Sequence, residues 1–92
     1  MREPPESIDG AKVLFWAISH PRPFFTMASA DGGVAAKIHG LAVCQYPNGT
    51  TYRFSCNEEW ETENYADYDT PEDAMTGLSG QYDIAAVKWI GR

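Results

Sequence analysis

Leu41–Asn57 reads LAVCQYPNGTTYRFSCN, and its interpretation decides the fold. Two β-prone runs, 41–46 and 51–57, flank Pro47-Asn48-Gly49-Thr50, and Asn-Gly between such runs is a strong hairpin signal. With Asn48-Gly49 as a two-residue tip, Val43 faces Phe54, Leu41 faces Cys56 and Cys44 faces Arg53. One face then carries Leu41, Val43, Gln45, Tyr52, Phe54 and Cys56. It is mostly apolar, as burial of one face requires. Cys44 falls on the opposite face from Cys56, so this register predicts two free thiols and no disulfide.

Working outward, Ala11–Ser19 reads as a strand apolar on both faces, hence central or covered by a helix. His20-Pro21-Arg22-Pro23 must end it, because proline fixes φ and removes a donor. Residues 24–30 form a second strand that closes on Asp31-Gly32-Gly33, and 34–40 a third with a break at Gly40. Glu58–Asp69 has no clean period and reads as a long acidic loop. Thr70-Pro71-Glu72-Asp73 then opens a helix, with Thr70 as N-cap, Pro71 in the first turn and two acids at the positive end of the dipole. Gly80 is the expected stop, and 85–90 a last strand. Residues 1–10, rich in Pro and Glu, are expected to be a flexible tail. The prediction is thus one α+β domain over 11–92, in the order β-β-β-β-α-β. It has an antiparallel sheet of four to five strands, with one helix (about 71–80) packed on one face.

Ninety-two residues hold one small core. Charge is unevenly spread. Seven basic and thirteen acidic residues give −6 overall. Between Phe54 and Val87 there are nine acids and no lysine or arginine. An acidic chain argues against nucleic acid and anionic membranes as partners. The longest apolar run, Val13–Ile18, is too short to span a bilayer. The start shows no secretory pattern, so the expected compartment is the cytoplasm.

No motif for nucleotide, zinc-protease or P-loop chemistry is present. His20 and His39 are the sole histidines, and with Cys44 and Cys56 they lack the close-spaced pair of a structural zinc site. A cysteine–histidine enzyme has no local signature here, and neither catalytic residues, metal nor cofactor are expected. In His20-Pro21-Arg22-Pro23-Phe24-Phe25 the phenylalanines read either as core or as a binding hot spot, with core favoured.

Tyr52-Arg53-Phe54-Ser55-Cys56-Asn57-Glu58-Glu59-Trp60, followed by Asp67-Tyr68-Asp69-Thr70-Pro71-Glu72-Asp73-Ala74, resembles the second half of a group of short bacterial proteins. Their pattern is a strand ending in F-S-C, a tryptophan four residues on, and a helix opening Y-D-[ST]-x-E-[ED]-A. The resemblance covers roughly half of this chain. It implies a bacterial source and a strand–loop–helix–strand order, and it brings no activity, cofactor or site residue with it.

The expectation for function therefore rests on the acidic stretch. Glu58, Glu59, Glu61, Glu63, Asp67 and Asp69 are interleaved with Trp60, Tyr65 and Tyr68. Such a run is either a solvated loop or an acidic surface with aromatic anchors that docks on a basic protein. The second reading makes the chain a non-catalytic interaction module, for example an inhibitor of the immunity type. The alternative is a small-ligand or cation-binding module built on the same carboxylates, although EF-hand spacing is absent.

Overall fold

The computed structural model describes residues 1–78, 80 and 82–92. Strands β1 (Ser7–Ile8) and β2 (Ala11–Ile18) form a hairpin that leads the main sheet. A small β3 (Phe25–Ala28) and β4 (Val34–Ile38) pair forms a separate two-stranded sheet. β5 (Gly40–Gln45), β6 (Thr51–Cys56) and β7 (Thr62–Tyr68) continue the main sheet. Helix α1 (Pro71–Thr76), a 3-10 turn at Ile84–Ala86 and β8 (Ile90–Gly91) complete the chain. The main sheet runs β1-β2-β5-β6-β7, all antiparallel, and β8 joins the β1 side of β2. The fold is α+β in outline, but it has eight strands in two sheets among the described residues, where four to five in one were expected.

Residues 1–10 are not a free tail. Asp9-Gly10, both at positive φ (53° and 78°), form a two-residue turn that folds the segment back onto β2. Ile8 is buried, and the Arg92 guanidinium donates to the carbonyls of Pro5 (2.7 Å) and Pro4 (2.9 Å).

The β5–β6 register also differs from expectation, by one residue. Cys44 pairs with Tyr52, Val43 with Arg53 and Leu41 with Ser55. The reason is Pro47. A two-residue tip would pair Pro47 with Thr50, and Pro47 has no N–H for that narrow pair. The chain instead makes a three-residue loop. Gly49 N–H donates to the Tyr46 carbonyl (2.9 Å), Tyr46 N–H to the Thr50 carbonyl (2.9 Å), and Gly49 takes φ 91°.

Shifting the register moves every β6 side chain to the other face. Cys44 and Cys56 now share one face with Ala42 and Phe54, in a core cluster that includes Ile8, Val13 and Trp60. They stay unbonded because four residues of strand separate Tyr52, opposite Cys44, from Cys56. That is about 13 Å, beyond disulfide reach. The other face buries Ala17, Leu41, Phe24, Ile38 and Tyr82. Phe24 is core, and Phe25 packs on Tyr82 with the rings tilted by 38° and their centroids 5.3 Å apart.

Helix α1 lies across that second face, against β5, β6 and β7. Its start is as expected, with Thr70 Oγ1 accepting from Asp73 N–H (3.1 Å). It ends at Thr76 rather than Gly80. The Tyr68 hydroxyl donates to the Gly77 carbonyl (3.2 Å), and the Tyr68 ring edge and the Asp73 carbonyl occupy the space a side chain at Gly77 would need. Of the expected 71–80 span, residue 79 lies outside the described residues. The expected 85–90 strand is instead the 3-10 turn and the short β8. No helix among the described residues is long and apolar enough to cross a membrane.

Candidate interaction surface

The acidic stretch is not a long loop. Asn57–Glu61 is a tight turn, and β7 follows at once, paired along β6. The turn repeats the geometry at 46–50: Trp60 N–H donates to the Asn57 carbonyl (3.1 Å) and Asn57 N–H to the Glu61 carbonyl (3.0 Å). Asn57 organises it further. Its Oδ1 accepts from the N–H of Glu59 (3.0 Å) and Glu61 (2.9 Å), while Nδ2 donates to Glu61 Oε1 (2.9 Å) and Glu63 Oε1 (3.3 Å). The left-handed position, glycine in the first loop, is held here by Trp60 at φ 62°. A bulky residue in that region is strained, and its packing explains why it stays. Trp60 is 6% exposed, its Nε1–H donates to the Arg2 carbonyl (2.8 Å), and its ring sits where a Cβ on Gly40 would come within 2.6 Å.

The structure divides the expected binding residues into two groups. Trp60 and Tyr68 are structural. Tyr68 is half-buried, and its hydroxyl accepts from the Arg53 guanidinium (2.6 Å) as it caps α1. Glu58, Glu59, Glu61, Glu63, Tyr65, Asp67 and Asp69 are exposed. Along β7 the exposed positions 63, 65 and 67 alternate with half-buried 64, 66 and 68, the period of a strand with one wet face. Tyr65 is 65% exposed and leans on Tyr52, which stacks on Phe54.

Few of these carboxylates are neutralised within the chain. Among the described residues, Glu58 alone of the acids in 58–73 has an ion-pair partner, and its partners are histidines. His20 Nε2 lies 2.8 Å from Glu58 Oε2, and His39 Nε2 lies 3.9 Å from Oε1. His39 is buried, and its Nδ1 sits 2.8 Å from the Ser19 carbonyl, so Nδ1 carries the proton. In the sequence the histidines group by type with the cysteines, and His20 falls in the 20–25 segment, but no spacing joins either of them to Glu58. The cluster's signal is positional: His20 precedes the Pro21 break and His39 precedes Gly40, so the two bracket the β3–β4 excursion and meet at its base.

The cysteines take no part in this surface. Burial pushes the thiols of Cys44 and Cys56 up to about 12 from an ordinary 9.0, so thiolate is scarce at neutral pH. Among the described residues no group of three or more His, Cys, Asp or Glu side chains is placed to hold a metal ion. A groove of roughly 860 Å³ between Met1–Pro5 and Glu58–Trp60 adjoins the turn, with Glu3, Glu58 and Glu59 on its walls. Compared with protein-family models, with curated proteins and with solved structures, the chain matches none.

Proposed function

We propose that this protein is a non-catalytic interaction module that binds a basic protein through the β6–β7 hairpin. The observation that carries the reading is the state of the exposed face of β7. Glu63 and Asp67 flank a 65%-exposed Tyr65, and among the described residues neither carboxylate has a basic partner in its own chain. Unneutralised like charges cost stability, whereas a basic partner converts the same repulsion into attraction and fast association. Tyr65 supplies contact area with little rotamer entropy to lose. In its sharpest form the reading is an inhibitor that presents carboxylates where a basic enzyme would hold phosphates.

The test is affinity capture from cell lysate of the source, using wild type and the Glu63→Gln/Asp67→Asn variant at low and high salt. The expected result is a basic protein held by wild type at low salt, released at high salt and absent from the variant. Equal capture by both proteins overturns the reading.

A further inference from the structure

The two sides of the main sheet end very differently. On the β2 side the edge is divided between β1 and β8, two residues each. Very short edge strands are a standard protection against unwanted pairing. On the other side the sheet ends on β7, seven residues long and free of proline, lysine and arginine. Among the described residues its one strand neighbour is β6, so about half of its backbone N–H and C=O groups point away from the sheet. Helix α1 covers the face of β5, β6 and β7 rather than this edge, and among the described residues no backbone hydrogen bond outside the β6–β7 ladder uses residues 62–68.

From this edge we infer that the partner binds by strand addition: an extended basic segment pairs with β7 and becomes the next strand of the sheet. The inference rests on the proposed basic partner and specifies how it docks. The charge pattern selects the occupant. A second copy of this chain, paired antiparallel about Tyr65, would set Glu63 opposite Asp67 at both ends, and like charges directly opposite are destabilising. A strand with lysine or arginine two residues either side of a central apolar residue meets Glu63, Tyr65 and Asp67 with complementary groups. The acids thus discourage pairing with copies of the same chain while leaving the edge open to a basic strand.

A Thr-Lys-Thr-Tyr-Thr-Lys-Thr peptide, which sets lysines opposite Glu63 and Asp67 when its tyrosine meets Tyr65, the same peptide N-methylated on alternate residues in either phase, and its Glu-for-Lys counterpart serve as probes against the full chain. Binding is read by fluorescence anisotropy at low salt, and amide exchange of residues 62–68 is read by NMR. The expected result is salt-sensitive binding of the lysine peptide, with exchange slowed at alternate β7 amides. One N-methylated phase should bind at least about tenfold more weakly, because it cannot make the edge hydrogen bonds. The glutamate peptide should not bind. Binding that ignores N-methylation in both phases and leaves β7 exchange unchanged overturns strand addition while the basic-partner reading stands. No binding of the lysine peptide up to about millimolar concentration, a weak limit in affinity terms, overturns both.

Discussion

Replacing Trp60 by glycine should leave a more stable protein than replacing it by alanine, the reverse of the usual order. Glycine inside regular structure ordinarily loses about 0.5–1 kcal/mol to alanine. At position 60 the backbone sits at φ 62°, where an L residue with a Cβ is disfavoured by about 1–2 kcal/mol. Both substitutions forfeit the same ring, which is 6% exposed and packed on Gly40. A ring of this kind buries about 150–250 Å², or roughly 4–6 kcal/mol at about 25 cal/mol per Å². Both variants should therefore fall well below wild type. Their difference isolates the backbone, with Gly above Ala by about 1 kcal/mol once the greater chain entropy of unfolded glycine is subtracted. Urea unfolding followed by circular dichroism, with equal m-values for the two variants, reads that difference directly. Alanine as stable as glycine, or more so, refutes the left-handed Trp60 and with it this account of the turn.

The same geometry makes Gly40 and Trp60 a coupled pair. A Cβ at Gly40 would lie 2.6 Å and 2.8 Å from two atoms of the indole. Gly40→Ala should cost about 1–3 kcal/mol in the wild type through overpacking, and much less in the Trp60→Gly background. A cycle showing additivity within about 0.5 kcal/mol would mean the two residues do not touch.

Neither cysteine should react with iodoacetamide in the native protein near neutral pH, while both should react in urea; quantitative native labelling would contradict their burial. Both thiols have folded-state values raised from 9.0 to about 12, so the folded state holds their protons more tightly. Stability should be full below pH 9 and fall as pH rises toward 12, seen as a dropping urea midpoint. His39→Ala should destabilise by about 1–3 kcal/mol, since it strips the Ser19 carbonyl of its buried partner. His20→Ala, on the exposed side of Glu58, should change stability by less than about 0.5 kcal/mol; equal losses would show that the buried bond is not the anchor. Adding salt should raise the melting temperature, and Glu63→Gln/Asp67→Asn should leave stability unchanged or slightly higher. A clear loss in that variant would mean the carboxylates support the fold.

Local rules read well where one residue dictates the backbone. The Thr70 cap and the Asp31-Gly32-Gly33 turn between β3 and β4 follow from such residues, while the break expected at Gly40 falls one residue earlier, at His39, and Gly40 opens β5. The expectations fail where two rules compete. Asn48-Gly49 signals a two-residue turn, but Pro47 lacks the N–H that turn needs, and one position of slip exchanged the faces of β6. Asp9-Gly10 is an equally strong hairpin signal, masked by the proline-rich segment before it. The strand at 62–68 hid behind its charge: its alternation lies between exposed acids and half-buried Asn64 and Ala66, a contrast too weak in hydropathy to show a period. Of the acidic-aromatic group, composition identifies the exposed carboxylates. It does not separate Tyr65, which faces water, from Trp60 and Tyr68, which hold the turn and the helix end.

That separation bears on how the surface is built. Asn57 and Trp60 fix the turn, and Tyr68 ties the far end of β7 to α1 and to buried Arg53. The acidic strand is therefore held at both ends by side chains that do not face outward. A surface kept rigid in this way loses little conformational entropy when a partner arrives. Most of its acids lie unneutralised within the chain among the described residues, while buried Arg53 has a tyrosine hydroxyl and two tyrosine rings for company. If the acids of β7 served only solubility, Arg53 would be the natural place to spend one of them, because a buried guanidinium gains most from a carboxylate. Among the described residues their outward placement instead keeps negative potential on the long free edge of the sheet, the arrangement that the proposed basic strand requires.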